Sequence, residues 1–424
     1  MGKYHFTFLR HGQSEGNVKM LFQGQLDFPL SDLGHRQAKA LGQRWQREQR
    51  TFDRIIASPL SRAYQTAEHV AEALGMEVDT EPLWMEQDFG ALSSVSIRDF
   101  VKDPSRPKFF GPYDRSGGSG ESRSLLYARA IQAIEGLFVL EPGRYLVVSH
   151  GALLNMVWYH ILGLVPQPNL EGPRLMFRNT SFAEVEYNRD RHRWRVLTVN
   201  DHAHSERIET DLEHDLDVYF LRHGESTGNR DRIAQGQGDY ALSERGRQEA
   251  QARAVGWAAE GLEFDRIIAS PQSRALDTAK FVQSALGGEI DQDDVWMERH
   301  NGLLAGKHAD EFKSLGWPPE FFGPYTPMME TGESIWQIYL RAGRAIQRVT
   351  QLPNGRHLVV SHGGLLNSAL KAALGSVPQA NFAGAMFRLQ NAGFARLTYS
   401  RGTNQWRLYA LVGSPIDDHP KNER

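Results

Sequence analysis

One block of this sequence returns at a fixed distance, and that repeat limits the folds open to the chain more than any other feature. Leu9-Arg10-His11-Gly12-Gln13-Ser14-Glu15-Gly16-Asn17 recurs as Leu221-Arg222-His223-Gly224-Glu225-Ser226-Thr227-Gly228-Asn229, an offset of 212 residues. Arg54 to Pro59 returns at Arg266 to Pro271, Phe109 to Tyr113 at Phe321 to Tyr325, and Val147 to Gly151 at Val359 to Gly363, each at the same offset. A constant offset leaves no net insertion or deletion between the copies, so both are expected to share one fold. A unit this long can bury its own core, whereas repeats of about 20–50 residues must stack to do so. The spacing predicts tandem domains at residues 1–200 and 215–412. Between them, 201–214 is rich in His, Glu and Asp without a periodic apolar face and reads as a solvated linker; 413–424 reads as a frayed tail.

Within each copy, short strand-like runs feed segments with helical apolar spacing. Phe6 to Leu9, Arg54 to Ala57 and Tyr145 to Val148 are the strands; Ser31 to Arg47, Pro59 to Leu74 and Ala152 to Leu162 are the helices. Ser181 to Tyr187 and Trp194 to Val199 have no long helix between them, which predicts a hairpin at one edge. The expected fold is α/β: two tandem three-layer domains, each a mainly parallel sheet with helices on both faces and an antiparallel edge hairpin. Open α/β sheets gather ligands at the carboxyl ends of their strands. Arg10-His11-Gly12, Ser58-Pro59 with Arg62, and Ser149-His150-Gly151 all fall at such ends and are expected to share one crevice.

Composition narrows the chemistry. With 40% hydrophobic and 23% charged residues the chain is an ordinary packed protein, and a net charge of -3 supplies no field for gathering nucleic acid. The absence of cysteine excludes disulfides, thiolate zinc sites and cysteine nucleophiles. No apolar run approaches the roughly 20 residues that span a bilayer. The strand-like Tyr4 to Leu9 begins almost at once, leaving no room for a signal peptide, so a cytoplasmic location without membrane partner is expected. His35, His69, His160, His202, His204, His214 and His308 show no repeated metal-ligand spacing, and no metal or cofactor is assigned.

The ordered set Leu-Arg-His-Gly-x-Ser-x-x-Asn, Ser-Pro-x-x-Arg, Met-Glu-x-x-x-Gly, Gly-Glu-Ser and Ser-His-Gly resembles the histidine phosphatase superfamily, in its phosphoglycerate-mutase-like branch. It spans nearly all of both copies. The resemblance implies a phosphohistidine-forming nucleophile at His11 and His223. Imidazole suits that role, because an unprotonated nitrogen is available near neutral pH and the phosphoramidate is labile to water. It implies phosphate clamps at Arg10, Arg62, Arg222 and Arg274, whose guanidinium forks stay ionised in a closed pocket. It also implies phosphoryl donors at His150 and His362. Glu86 and Glu298 are the candidates for proton donor to the leaving oxygen, and such a carboxyl needs a raised pKa to hold its proton near neutrality; helix capping is their alternative. Asn17, Gln23, Gly24, Gly151, Asn229, Gln235, Gly236 and Gly363 are candidate substrate-binding residues.

Ser58 is expected as an N-cap with Pro59 as first helical residue, and Glu121 and Glu333 as helix caps. Arg36 and Arg129 read as ordinary surface arginines. The expected activity is hydrolysis of small phosphomonoesters at both sites. The alternatives are a phosphoglycerate mutase or sugar bisphosphatase on the same fold, and a bivalent phospho-ligand binding protein without turnover. A mutase-like paired-arginine segment is missing between Gly90 and Gly120, and Ser94 stands where the second copy has Gly306. The copies differ at Glu86 to Gly90 against Glu298 to Gly302, and at Asp114 to Gly118 against Thr326 to Glu330. These segments are expected to rim two pockets of different preference, the second accepting more anionic or partly apolar leaving groups.

Overall fold

Alternation along the first strand, β1 (Lys3–Arg10), decides the layering of the first half. Successive side chains of a strand point to opposite faces. Leu9 packs with Leu41 and Trp45 and with Ala63, Ala67 and Val70, while Phe6 meets Phe138 at 5.9 Å and Phe8 meets Trp84 at 6.1 Å between ring centres. One face therefore takes one helix pair and the other face takes the rest. The computed structural model describes residues 2–105, 110–170, 172–204 and 214–416, and it divides into two compact units, Met1–Asp211 and Leu212–Arg424.

In the first unit β1 is followed by α1 (Glu15–Val18), α2 (Asp32–Arg47), β2 (Arg54–Ala57), α3 (Ser61–Leu74), β3 (Val78–Thr80), α4 (Ile97–Lys102), α5 (Arg123–Leu137), β4 (Arg144–Ser149), α6 (Gly151–Leu162), the short β5 (Arg174–Leu175), β6 (Phe182–Asn188) and β7 (Arg193–Asp201). Its strands lie in the order β3-β2-β4-β1-β6-β7. The first four are parallel; β6 runs antiparallel to β1 and forms a hairpin with β7. Helices α2 and α3 cover one face, and α5 and α6 pack together on the other.

The second unit repeats this with β8 (Leu216–Arg222), α7 (Thr227–Arg230), α8 (Glu244–Ala259), β9 (Arg266–Ala269), α9 (Ser273–Leu286), β10 (Ile290–Gln292), α10 (Ile335–Thr350), β11 (Gly355–Ser361), α11 (Gly363–Leu374), β12 (Gly384–Phe387), β13 (Phe394–Ser400) and β14 (Gln405–Val412). Its order is β10-β9-β11-β8-β13-β14, again four parallel strands and an antiparallel pair. The α/β fold with an edge hairpin expected from the sequence is the fold found. No helix among the described residues is long and apolar enough to cross a membrane.

Three local readings need correction. Helix α3 begins at Ser61, with Leu60 at its N-cap position, so Ser58 caps nothing and Pro59 precedes the helix. The caps of α5 and α10 are the hydroxyls of Ser122 and Ser334, not Glu121 and Glu333. Asp201, expected to open the linker, is the last residue of β7, and its carboxylate accepts two hydrogen bonds from Arg44 at 2.6 and 2.8 Å. His204 still belongs to the first unit, since its Nε2 meets Thr180 Oγ1 at 3.0 Å. Residues 205–213 of the expected linker, Phe109 of the repeated Phe-Phe-Gly-Pro-Tyr block, and 417–424 of the tail lie outside the described residues. Ser94 and Gly306 share a left-handed backbone, φ 70° and 81°, so that difference between the copies is one of strain carried by a side chain.

Candidate active site

Parallel pairing sets the ends of β1, β4 and β2 level. Arg10 is opposite Ser149 and Val148 is opposite Ala57, so the residues that leave these strands enter one space. The backbone N–H of His11 donates to Ser149 C=O at 3.0 Å, which ties the first two strand ends together. The rings of His11 and His150 then lie 5.1 Å apart, and those of His223 and His362 also 5.1 Å. His11 and His150 are almost fully buried, as is Arg62 at 1% exposure.

The hydrogen bonds fix which nitrogen each histidine presents. Nδ1–H of His11 donates to Gly12 C=O at 2.6 Å, and that of His223 to Gly224 C=O at 2.6 Å, which leaves Nε2 unprotonated. Burial, reinforced by Arg62 and Arg10, holds His11 well below the usual imidazole value; burial with Arg222 and Arg274 does the same for His223. His150 Nε2 meets Ser58 Oγ at 2.8 Å, and His362 Nε2 meets Ser270 Oγ at 2.8 Å. Ser58 Oγ already accepts from Leu60 N–H at 3.3 Å, and its own proton has no other acceptor among the described residues than this ring nitrogen. His150 then carries its proton on Nδ1. Ser58 thus acts on the second histidine and not on a helix end.

Around these rings stand donors with nothing to bond. Arg10 Nη1 donates to Phe177 C=O at 2.6 Å, and Arg62 donates to the carbonyls of Leu26 and Gly24 at 2.9 and 2.7 Å. Arg10 Nε, Arg62 Nε and His150 Nδ1 are nevertheless buried without a partner. The equivalent three atoms of the second half, Arg222 Nε, Arg274 Nε and His362 Nδ1, are orphaned in the same way. A buried donor left unpaired costs about 1–3 kcal/mol, more when charged, so a recurring set of them marks a place meant for an acceptor. Burial pushes Arg62 down to about 10, partly offset by Glu86 and Asp27, and it remains a cation at neutral pH.

Helix α6 has His150 at its N-cap and no side-chain cap of its own. Its first amides go to Glu86 instead: Ala152 and Leu153 N–H each donate to the carboxylate at 3.2 Å, and Gln87 N–H at 2.9 Å. Glu298 takes the amides of Gly364, Leu365 and Arg299 at 3.0, 3.1 and 2.8 Å. The capping and the proton-transfer readings of these glutamates therefore describe one position, beside the second histidine and facing the arginines.

The candidate binding residues are assembled too, several of them indirectly. Asn17 closes a capping box with Ser14, and its Oδ1 also receives Asn179 Nδ2 at 3.3 Å. Gln23 accepts from Ser14 Oγ at 2.7 Å, and Asn229 and Gln235 repeat both arrangements on Ser226. Gly24 and Gly236 adopt φ 54° and 53°, and their carbonyls hold Arg62 and Arg274. A side chain on Gly151 would come within 3.6 Å of Arg10 Nε, and one on Gly363 within 3.4 Å of Arg222 Nε, so these glycines keep the space before the orphan donors clear.

Some residues that shape the site were not singled out from the sequence. Arg129 is no ordinary surface arginine: it donates to the carbonyls of Leu83, Met85 and Glu86 at 2.9, 2.6 and 3.0 Å while paired with both oxygens of Glu121. Arg341 and Glu333 hold the Glu298 segment identically. Thr66 Oγ1 receives Gly12 N–H at 3.0 Å and donates to Arg62 C=O at 2.6 Å, and Asn179 Nδ2 donates to His11 C=O at 3.0 Å. The signal that could have found them is the repeat itself, since Thr278, Arg341 and Asn391 stand 212 residues on.

The family profile of the histidine phosphatase superfamily (branch 1) matches residues 6–202 and again 218–411. A curated relative from Yersinia enterocolitica, "Probable phosphoglycerate mutase GpmB", is 32% identical over 203 residues, covering 46% of this chain and 92% of the relative. Its counterpart from Photorhabdus laumondii is 35% identical over 203 residues, with the same coverage. Among solved structures, Bacillus stearothermophilus YhfR is 27% identical with a TM-score of 0.39, covering 46% of this chain and 95% of its own. A mycobacterial glucosyl-3-phosphoglycerate phosphatase is 26% identical with a TM-score of 0.36, covering 43% and 92%. The chain belongs to the histidine phosphatase superfamily, branch 1, and carries that family's domain twice.

Proposed function

We propose that this protein is a cytoplasmic hydrolase of small phosphomonoesters that works through a phosphohistidine at two sites, one in each domain. The observation that carries the reading is the orphan donor set, Arg10 Nε, Arg62 Nε and His150 Nδ1 around a neutral His11, repeated atom for atom around His223. A phosphoryl group supplies the acceptors they lack. His11 Nε2 attacks phosphorus as the ester P–O bond breaks, and the leaving oxygen takes the proton of Glu86, which enters this step as the carboxylic acid. The Gly12 carbonyl, already bonded to Nδ1–H, supports the positive charge that the ring gains. Glu86, now a carboxylate, accepts a proton from water, whose oxygen attacks phosphorus and displaces His11 with release of orthophosphate. His223, Glu298 and His362 do the same in the second domain. A phospho-ligand binder needs the arginines but not this carboxylate beside the second histidine.

A turnover screen tests the proposal against its relatives. Incubation with 3-phosphoglycerate and a panel of phosphomonoesters, with and without bisphosphoglycerate, is expected to release orthophosphate. Conversion of 3- to 2-phosphoglycerate without phosphate release would make it a mutase, and tight binding without turnover would make it a binder.

Arg129 is a positioning residue for the acid. Arg129→Met is expected to lower kcat at the first site by about 10²-fold on alkyl phosphates, because loosening the 83–86 segment misplaces Glu86. Measured as kcat/KM in the full chain with His223→Ala, which reports the phosphorylating step, the loss should shrink for 4-nitrophenyl phosphate, whose leaving group needs no proton. An equal loss on both esters would assign Arg129 to folding alone.

Acid should destabilise the fold through its histidines. His11, His150, His223 and His362 are all held well below the usual imidazole value by burial first, and then by neighbouring cations and each other. With folded pKa values below the unfolded value of about 6.5, the unfolded chain binds more protons below that pH. Their contribution is complete above about pH 6.5 and is lost as pH falls toward the folded values. Urea unfolding between about pH 8 and pH 5 should show a midpoint that drops only on the acid side, and less steeply when His150 and His362 are replaced by glutamine.

A further inference from the structure

We propose that the first domain's site takes phosphomonoesters whose leaving group is a ring-sized apolar body with an anionic group at its far end, and that the second domain's site does not. The inference rests on the phosphatase reading and names the substrate class of one of its two sites.

A cavity of about 270 Å³ adjoins the first site, walled by Phe22, Phe89, Leu126 and Met156 and bounded by Arg123 and by Gly151-Ala152. Phe22 and Phe89 meet edge to face at 5.2 Å. Gly151 belongs both to this cavity and to the phosphoryl site, since a Cβ on it would touch Arg10 Nε at 3.6 Å. Ala152, the next wall residue, donates its amide to Glu86. An oxygen departing from phosphorus at His11, protonated by Glu86, therefore carries its substituent into the cavity.

The cavity's size and lining select that substituent. An apolar cavity of about 150 Å³ holds benzene, so this one has room for a six-membered ring and one further group. Arg123 brings a cation to a wall that also holds Arg174, Gln87 and Asn155. Its guanidinium gives Nη1 to Gln167 C=O at 2.9 Å and lies 5.7 Å from the centre of the Tyr159 ring. One committed N–H leaves donors enough for a carboxylate.

The second domain changes three of these residues. At the offset of 212, Ala234 replaces Phe22, Asn301 replaces Phe89 and Ile335 replaces Arg123. The cations there are Lys371, in the place of Tyr159, and Arg299, in the place of Gln87; Arg299 Nε donates to Asn301 Oδ1 at 3.1 Å and its guanidinium lies 5.9 Å from the Phe382 ring centre. Phe22, Phe89 and Arg123 are thus particular to the first domain, whereas Ala234 of the second packs in a cluster with Phe312, Trp317 and Phe382; the preference is the reverse of the one expected from the sequence.

The test uses the full chain with His223→Ala, leaving only the first site active, and compares 4-carboxyphenyl phosphate with phenyl phosphate. kcat/KM is expected to favour the carboxylated ester by about ten-fold, the scale of one charge-assisted pair. Arg123→Gln should bring that ratio close to one, and Phe89→Asn should raise KM for both aryl esters relative to glycerol 1-phosphate. The His11→Ala chain, which keeps only the second site, should show a ratio close to one throughout. A ratio close to one in the His223→Ala chain, or a ratio that Arg123→Gln leaves unchanged, overturns the inference. Should His223→Ala impair folding, Arg123→Gln in the otherwise native chain must still lower the ratio, and an unchanged ratio is again fatal. Failure of the phosphatase reading looks different: no probe would be hydrolysed at either site.

Discussion

Replacing both His11 and His223 by alanine is expected to cut phosphomonoester turnover by about 10⁴-fold or more, while each single replacement keeps the activity of the intact domain. The arginines and the second histidine would still gather a phosphate in the double variant, but nothing would remain to attack it. The magnitude follows from removing the one group that forms a bond. The additivity follows from the architecture, because each unit contains its own copy of the proposed nucleophile, clamps, second histidine and carboxylate. Steady-state assays of the four proteins, with circular dichroism to verify folding, read this directly. Full activity in the double variant would remove the histidines from the mechanism, and complete loss in either single variant would mean that the two sites do not work independently.

Glu86→Gln, introduced with His223→Ala, is expected to lower kcat on alkyl phosphates by about 10²–10⁴-fold. Glutamine keeps one oxygen for the amides of Leu153 and Gln87 and gives up the acceptor for Ala152, so the start of α6 stays partly supported while the transferable proton is lost. With 4-nitrophenyl phosphate the first step should survive, and water attack on the phosphoenzyme should become slow. Nitrophenolate would then appear as a burst of one equivalent per active site before a slow steady state. A glutamate that merely caps α6 predicts a modest loss of stability, about 1 kcal/mol, with no burst and no dependence on leaving group.

Much of this site was legible in the sequence because its principal groups sit in short contiguous blocks at strand ends. Arg10-His11-Gly12 and Ser149-His150-Gly151 follow strongly apolar strands, and parallel pairing leaves their ends no choice but to meet. Arg62 was legible through the Ser-Pro-x-x-Arg block, although the reason given for Ser58 was wrong. A serine before a proline reads as a cap, but β2 ends at Ala57 and α3 starts only at Ser61, which frees Ser58 to hold the second histidine. Arg129, Thr66 and Asn179 were not legible one by one. Each acts on backbone carbonyls or amides far along the chain, and such partners leave no mark in a sequence pattern. Asp201 was misread for a similar reason: its composition suits a linker, but it pairs with Phe182 at the end of β7 and its carboxylate binds Arg44 across 157 residues.

The most direct measurement is capture of the covalent intermediate. The full chain is mixed briefly with a ³²P-labelled phosphomonoester, quenched in base, digested, and its labelled peptides are sequenced. The account predicts label that is stable to alkali and lost in acid, on the peptides carrying His11 and His223 and on no others, with each label abolished by alanine at its own histidine. Label that resists acid, or that persists in the doubly substituted chain, would contradict it.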